Sequence, residues 1–331
     1  MKRSGSLASK AGTLLLAAAL FLTSAAGLAG QKYDVIIAGT SGATDTQSIA
    51  HEEFAKRLNA TGNWNAVVRI GGVMGETDDV TEQALQGVPV ICASDPGRIA
   101  SFVPDYGVIQ MPYVFPDHTY LNKVMETDLY KKWDKDFQAK GLKLVTSNCF
   151  SGARSWIVKK GPVRTPADLK GQKIRTIGSP LFVKSVEAMG GIPTAIPWGE
   201  TYQAIEQGVV DGTEAQIPGI YAMRMYEAAK HISLSEHFLL IGSMVTGTKW
   251  FDTLPGERQE ELMRIAYEAY RDNQDLVIKL SKQYIDEMIA KAGVSVYEID
   301  KQPFIDAVQP VFKELGYEEL LKELRKQMGM D

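Results

Sequence analysis

The chemistry that this sequence predicts most directly is the binding of an anion by arginine. The run DLKGQKIR ends a short predicted strand and places Arg175 at the carboxyl end of that strand. Open α/β sheets present their ligand contacts at this edge. A guanidinium offers a planar fork of donors that meets a carboxylate in two parallel hydrogen bonds, which a lysine ammonium cannot do. Arg175 is therefore the first candidate for a carboxylate anchor, with a surface arginine in an ordinary ion pair as the alternative.

Patterns typical of catalysis or cofactor binding are missing from the sequence. The four histidines, His51, His118, His231 and His237, share no metal-ligand spacing, and no Cys-x-x-Cys pair occurs. Neither a Gly-x-Ser-x-Gly elbow nor a Walker or dinucleotide glycine motif is present. We therefore predict no enzyme activity, no metal and no cofactor. The alternative is an enzyme acting on an organic acid, because a cleft with paired charges also suits catalysis.

The first thirty residues have the composition of a secretion signal. Three basic residues precede an apolar run from Leu14 to Leu22, and small residues follow up to Gly30. The run is shorter than the roughly 20 residues that a membrane span needs. Gln31 stands where a bacterial lipoprotein would carry a lipidated Cys. We predict a signal peptide over residues 1–30, cleaved to release an unlipidated periplasmic protein.

Charge and length narrow the class of protein further. The chain holds 36 Lys and Arg against 40 Asp and Glu, and three of the basic residues lie in the predicted signal. An acidic remainder argues against nucleic acid and anionic membranes as partners. About 300 residues suffice for two domains with their own cores. Two cysteines, Cys92 and Cys149, permit one disulfide, but the sequence leaves open whether they pair or stay buried thiols.

Strand and helix patterns alternate after the signal, as in sheets with crossover helices. The predicted strands are Tyr33 to Ala38, Asn65 to Ile70, Val88 to Ala93, Leu142 to Thr146, Lys173 to Thr176 and Thr194 to Ile196. The predicted helices are Thr46 to Asn59, Glu76 to Gln86, His118 to Lys140, Ser179 to Met189, Glu200 to Gln207, Pro255 to Ala292, and one or two within Pro303 to Gln327. The helix from Pro255 would be roughly 55 Å long, enough to brace two domains.

Several motifs occur in a specific order along the chain. Residues 152–180 read GARSWIVKKGPVRTPADLKGQKIRTIGSP and residues 197–216 read PWGETYQAIEQGVVDGTEAQ, with GGVMGETDDVTEQALQGV and IQMPYVFPD upstream. From about Tyr33 to its end the chain resembles the solute receptors of tripartite ATP-independent periplasmic (TRAP) transporters, the DctP family. The resemblance implies an α/β, two-domain periplasmic binding protein fold. Each domain would be a mixed sheet flanked by helices, and a long helix would bridge both.

The resemblance also implies which residues contact the ligand. Arg175 matches the arginine of the KIR motif, and Arg154 matches a second arginine that faces the cleft. Two like charges held close call for an anion between them, although a structural ion pair is the alternative for Arg154. Ser94, Asp95 and Arg98 resemble the loop of the first domain that contacts ligand, where Asp-Pro-Gly is also an ordinary turn.

Polar and aromatic side chains at five further positions complete the predicted site. They are Thr40 after the first strand, Ser179 at a helix start, Gln216, Trp156 and Phe182. The rings would stack on an aromatic or aliphatic acid, with a place in the hinge core as the alternative.

The sequence departs from the family at two places. Many members carry Asn directly after the DGxE motif, where this chain has Ala215, so the amide is missing or displaced to Gln216. The run Ser155-Trp156-Ile157 replaces a polar segment, which we interpret as evidence against a sugar acid. We assign Asp211, Gly212 and Glu214 structural roles, with Gly212 permitting a tight turn, and place Trp198 in a domain-packing loop outside the site.

Together these features predict a protein that binds a small organic carboxylate by hinge closure and delivers it to the membrane subunits of a TRAP permease. Domain I would comprise residues 31–151 and 241–280, and domain II residues 152–240 and 281–331. A receptor that presents its ligand to a sensor kinase is the alternative partner assignment. We predict a monomer, with a dimer as the alternative.

Overall fold

Nine strands form one continuous mixed sheet in the computed structural model, which describes residues 32–330. The strands are β1 (Tyr33–Ala38), β2 (Trp64–Arg69), β3 (Val90–Ser94), β4 (Leu142–Val158), β5 (Lys173–Thr176), β6 (Ile192–Ala195), β7 (Gly212–Gln216), β8 (His231–Gly247) and β9 (Ser295–Tyr297). Their order across the sheet is β2-β1-β3-β8-β4-β7-β5-β6, and β9 pairs with β8. The predicted signal peptide, residues 1–30, lies outside the described residues.

Two long antiparallel strands join the two ends of this sheet. β4 and β8 each run for 17 residues and pair along most of their length. The carboxyl half of β8 pairs with β3 at one end of the sheet, and the carboxyl half of β4 pairs with β7 at the other. The parallel pairs β1–β2, β1–β3, β5–β6 and β5–β7 complete the two ends. The prediction of a short strand ending at Thr146 was wrong, because polar residues in the middle of β4 hide a strand that is buried almost throughout.

Helices cover both faces of the sheet. They are α1 (Thr46–Ala60), α2 (Thr77–Gln86), α3 (Pro96–Ile99), α4 (Tyr120–Glu126), α5 (Asp128–Gln138), α6 (Pro180–Ala188), α7 (Thr201–Glu206), α8 (Ile217–Ala222), α9 (Met225–Ala228), α10 (Thr248–Phe251), α11 (Gly256–Ala292), α12 (Gln302–Glu314) and α13 (Glu318–Gln327). Three short 3₁₀ segments, Pro104–Gln110, Pro166–Leu169 and Trp198–Glu200, lie between them. The single helix predicted from His118 to Lys140 is two, because Thr127 ends α4 in an extended conformation and caps α5 through its side chain.

The 37-residue helix α11 bridges the two ends of the sheet, as predicted. Its first half buries Leu262 and Tyr270 in the core that contains β1 and α1. Its second half buries Tyr284 and Met288 in the core that contains α7 and α8. Gly293 ends it in the left-handed conformation, with φ of 64°.

Cys92 and Cys149 are both buried free thiols, so they form no disulfide. Gly242 of β8 lies opposite Cys149, and a Cβ there would come within 3.2 Å of its sulfur. Among residues 32–330, no helix is both long and apolar enough to cross a membrane.

Candidate functional site

A cavity opens where the carboxyl ends of β1, β3, β5 and β7 meet the middle of β4 and β8. Polar and charged side chains make up much of its wall: Thr40, Ser41, Gln47, Thr77, Asp95, Arg98, Arg154, Arg175 and Gln216. Ala93, Ile177, Trp198, Leu240, Ile241 and Gly242 complete it. Six of the ten residues predicted to bind ligand are therefore brought together in one place: Thr40, Asp95, Arg98, Arg154, Arg175 and Gln216.

Arg175 is a buried cation that forms no ion pair with an acid within residues 32–330. Its side chain is 1 % exposed, and Nε donates to the carbonyl oxygen of Ile196 at 2.9 Å. Nη1 is buried and has no hydrogen-bond partner among residues 32–330. The guanidinium carbon lies 5.3 Å from the centroid of the Trp198 ring. Burial, reinforced by the charge of Arg154, lowers the pKa of Arg175 to about 9. The site thus holds a guanidinium with donors to spare.

Arg154, in contrast, is neutralised by Glu214 of β7. Both side chains are buried, and Nε of Arg154 donates to the Glu214 carboxylate while Nη2 donates to Oε1 at 2.9 Å and to the backbone oxygen at 2.6 Å. Thr176 also donates to Oε1 of Glu214 at 2.7 Å, and Nη1 of Arg154 donates to Oε1 of Gln216 at 3.1 Å. Arg154 therefore lines the cavity as one half of an ion pair. A buried pair of this kind leaves little charge for an incoming anion.

Asp95 and Arg98 form a second charged group at the end of β3. Oδ1 of Asp95 accepts from the backbone N–H of Arg98 at 3.0 Å and so caps α3, while Oδ2 lies 3.0 Å from Nε of Arg98. Nη1 of Arg98 donates to Asp78 at 2.9 Å. Burial raises the pKa of Asp95 although Arg98 opposes it. Asp95 offsets Arg98 and Glu214 offsets Arg154, so within the described part of the chain the cavity's unpaired charge is that of Arg175.

Four predicted site residues lie outside the cavity. The Trp156 ring is fully buried and stacks on His237 with centroids 4.2 Å apart, so it belongs to the core. Phe182 packs against Phe238 and lies 5.7 Å behind the Arg154 guanidinium, where it supports that side chain. We expected both rings to stack on a ligand, but neither ring lines the cavity.

Ser94 and Ser179 also lie outside the cavity. Ser94 follows Ala93 on β3, and successive side chains of a strand point to opposite faces, so Ala93 faces the cavity and Ser94 does not. Ser179 precedes α6 and lines a neighbouring groove with Gly97 of α3.

The assignment of Trp198 to a domain-packing loop outside the site was wrong, because Trp198 lines the cavity beside Arg175. Sequence reasoning also missed Ser41, Gln47 and Thr77. Trp198 follows β6 at the same sheet edge as Arg175, and that position was a usable signal. Gln47 on α1 donates to Ser151 at 3.1 Å, a contact between segments 104 residues apart that no local pattern indicates.

The structure also shows where the two segments lie in which the sequence departs from the family that it resembles. Gln216 faces the cavity while Ala215 packs in the core, so the amide is displaced by one residue. Ser155, Trp156 and Ile157 lie outside the cavity wall, and their apolar character therefore says nothing about the polarity of a ligand. Asp211 and Glu214 have the structural roles predicted for them: Asp211 lies 3.7 Å from Lys160 and accepts from the backbone of Lys173 at 2.9 Å.

The tight turn predicted at Gly212 was wrong. This glycine lies in β7, where a Cβ would come within 2.3 Å of the Ile157 oxygen. Glycine is required there because β4 approaches closely, and not because the chain turns. No group of three or more His, Cys, Asp or Glu side chains in residues 32–330 is placed to hold a metal ion.

Comparison with known proteins gives a consistent set of matches. The family model described as bacterial extracellular solute-binding protein, family 7 (DctP), matches residues 37–319. The ectoine/5-hydroxyectoine-binding periplasmic protein UehA of Ruegeria pomeroyi is 28% identical over 307 residues, which cover 91% of this chain and 88% of that protein. The 2,3-diketo-L-gulonate-binding periplasmic protein YiaO of Escherichia coli is 30% identical over 74% of this chain and 71% of that protein.

Solved structures match over nearly the whole described chain. A TRAP periplasmic solute-binding protein from Ochrobacterium anthropi with bound L-fuconate has a TM-score of 0.83 at 30% identity, covering 90% of this chain and 100% of that one. One from Pseudomonas putida F1 with bound D-glucuronate has a TM-score of 0.81 at 30% identity, covering 88% and 96%.

Proposed function

The chain belongs to the DctP family of bacterial extracellular solute-binding proteins, the receptors of TRAP transporters, and on that premise we propose that it binds a hydroxylated monocarboxylate through Arg175. The observation that carries the proposal is the buried guanidinium of Arg175, which lacks an anionic partner among residues 32–330. An uncompensated buried charge is costly, so a carboxylate that meets it in two parallel bonds is strongly favoured. With the other two arginines paired to acids, one negative charge suffices.

A hydroxylated body fits the rest of the wall better than an aromatic one. Hydroxyl or amide groups of Thr40, Ser41, Gln47 and Thr77 face the cavity, and each can donate and accept. Trp198, beside Arg175, is the aromatic ring among the wall residues. Two neighbours in structure carry L-fuconate and D-glucuronate, which supports a polyhydroxy acid for this chain as well.

We propose hinge closure as the binding mechanism, with β4 and β8 as the hinge. Their register shifts at four places, and one shift lies between Phe150 and Gly152, whose partners are Ile241 and Leu240. That shift coincides with the domain boundaries predicted at 151/152 and 240/241. Ligand held by residues of both domains would favour the closed state by its differential affinity for the two states. The closed complex would then deliver the acid to the permease from the periplasm, after cleavage of residues 1–30.

A thermal-shift screen tests the choice of ligand. The mature protein would be heated with aldonates, uronates, keto acids and aromatic acids, and any hit titrated calorimetrically. We expect uronates or aldonates to raise the melting temperature, because ligand that binds only the folded state stabilises it. Stabilisation by aromatic acids alone would refute the hydroxylated body. Turnover of the bound acid would favour the enzyme alternative instead.

A further inference from the structure

A second cavity lies on the opposite face of the two hinge strands. Ala153 and Leu239 are register partners on β4 and β8, and both line this second cavity. Their chain neighbours Arg154 and Leu240 line the first one. Because side chains alternate along a strand, the same short piece of sheet separates the two cavities. We call the second cavity the hinge pocket.

The hinge pocket has a volume of about 410 Å³, large enough for a small organic molecule. Apolar side chains form much of its wall, among them Val114, Phe115, Phe150, Leu239, Ile278 and Ile305. They come from the loop before α4, from β4 and β8, and from α11 and α12. One of them, Ile278, is 50 % exposed, so part of this apolar wall is open to solvent.

One cation at the pocket has no ionic partner among the residues that the structure describes. Nε of Arg325 on α13 is buried and finds no hydrogen-bond partner among residues 32–330. The other charges at the rim are accounted for: Lys301 pairs with Glu236, and Asp117 accepts from the backbone and hydroxyl of Thr119. The pocket therefore combines an apolar wall with one guanidinium open to an anion.

Backbone strain is also concentrated at this pocket. Tyr113 and Glu236 both line it, and both have positive φ, 55° and 46°, which is rare for residues other than glycine. The Tyr113 N–H donates to the His237 oxygen at 3.0 Å and its hydroxyl donates to the Ser235 oxygen at 3.1 Å, so the loop is fixed onto β8. Strained residues persist where their surroundings hold them and cluster at ligand clamps and switch regions.

We propose that the hinge pocket is a second ligand site, for a small carboxylate with an apolar body, with the carboxylate on Arg325. This site is chemically distinct from the cavity at Arg175, whose wall carries many polar groups. Its ligand would contact β4, β8 and the carboxyl-terminal helices together, and these are the elements whose relative positions a hinge motion changes. The proposal does not depend on the identity of the acid bound at Arg175.

Octanoate serves as the probe, titrated into the mature protein by isothermal calorimetry. We expect saturable 1:1 binding, weakened about tenfold in Arg325→Gln because one charge-assisted bond is lost. Ile305→Trp fills the pocket and should abolish binding without removing any charge. The matched control is Arg175→Gln, which removes the cation of the other cavity and should leave octanoate affinity unchanged.

Two outcomes would overturn the proposal. One is the absence of saturable octanoate binding to the wild type. The other is binding that persists in Arg325→Gln and Ile305→Trp but disappears in Arg175→Gln, which would place octanoate in the first cavity. That second result would leave the proposed function intact, whereas the loss of uronate or aldonate binding in the screen would leave the hinge pocket untouched.

Discussion

The guanidinium of Arg175 lies over the indole of Trp198, with 5.3 Å between the guanidinium carbon and the ring centroid. An aromatic face attracts a cation but cannot take its hydrogen bonds. Trp198 therefore holds the buried charge in place while leaving Nη1 without a partner among the described residues. An anion that enters the cavity meets a cation already desolvated and oriented, so less of its binding free energy is spent on ordering the site.

Replacing Arg175 by Lys should weaken binding of the acid found in the screen by about tenfold or more. Lysine keeps the charge but loses the planar fork that holds both carboxylate oxygens. Calorimetric titration measures the change. Arg164→Lys, at an exposed position outside the cavity, is the matched control and should bind as the wild type does. Equal affinities in Arg175→Lys and wild type would remove Arg175 from the site.

Replacing Arg175 by Met should stabilise the ligand-free protein while abolishing binding. Burying an unpaired guanidinium lowers the free energy of unfolding, and the same burial lowers the pKa of Arg175 to about 9. An apolar side chain of similar length removes that cost, and we expect a gain of roughly 1 to 4 kcal/mol in the free energy of unfolding. Urea denaturation without ligand measures it. A less stable Arg175→Met protein would show that the charge is already compensated in the unliganded state.

Replacing Glu214 by Gln should destabilise the protein by roughly 3 to 5 kcal/mol. The change leaves the buried Arg154 guanidinium without its counter-charge and weakens the bond from Thr176. Glu268→Gln is the matched control, because Glu268 pairs with Arg264 at 3.2 Å on the exposed face of α11 and should cost less than about 1 kcal/mol. Similar costs for the two substitutions would contradict a buried, structural ion pair.

The two tryptophans near the cavity should respond in opposite ways. Trp198→Ala should weaken acid binding roughly threefold to thirtyfold, since it removes the ring beside Arg175. Trp156→Phe should leave affinity unchanged and lower the free energy of unfolding by about 1 to 3 kcal/mol, because its ring is packed in the core against His237. Calorimetry and urea denaturation of both variants separate the two roles. If Trp156→Phe alone lost affinity, Trp156 would have to be assigned to the ligand site again.

Much of the fold could be predicted from the sequence, because hydrophobic periodicity marks the short strands and the long helix. β8 could not, since its pairing with β4 depends on residues about ninety positions away. The same distance effect separates the predicted site residues that line the cavity from those that do not. Arg175 was predictable from a strand end, whereas the core position of Trp156 depends on His237, which lies on another strand. Local patterns identify sheet edges, but tertiary packing decides which neighbouring side chain faces the cavity.

Acid should destabilise the protein partly through His51, which is fully buried on α1. Its Nδ1 lies 2.8 Å from the Tyr270 hydroxyl of α11, and burial lowers the pKa of His51 to about 3. An unfolded chain has a histidine pKa of about 6.5, so between pH 6.5 and 3 the unfolded state binds a proton that the folded state does not. The free energy of unfolding should therefore fall by up to about 1.4 kcal/mol per pH unit as the pH is lowered through this window.

The variant His51→Gln isolates this contribution, provided that slopes against pH are compared and not absolute stabilities. Asp45 has the opposite effect, because burial raises the pKa of its carboxyl to about 6. Its contribution to the free energy of unfolding therefore increases as the pH falls toward about 4, the pKa of Asp in an unfolded chain. Asp45 is present in both proteins and cancels in the comparison. Urea denaturation at pH 7, 6, 5 and 4 should give a shallower decline for His51→Gln than for the wild type. Parallel declines for His51→Gln and wild type would mean that His51 accepts its proton without unfolding.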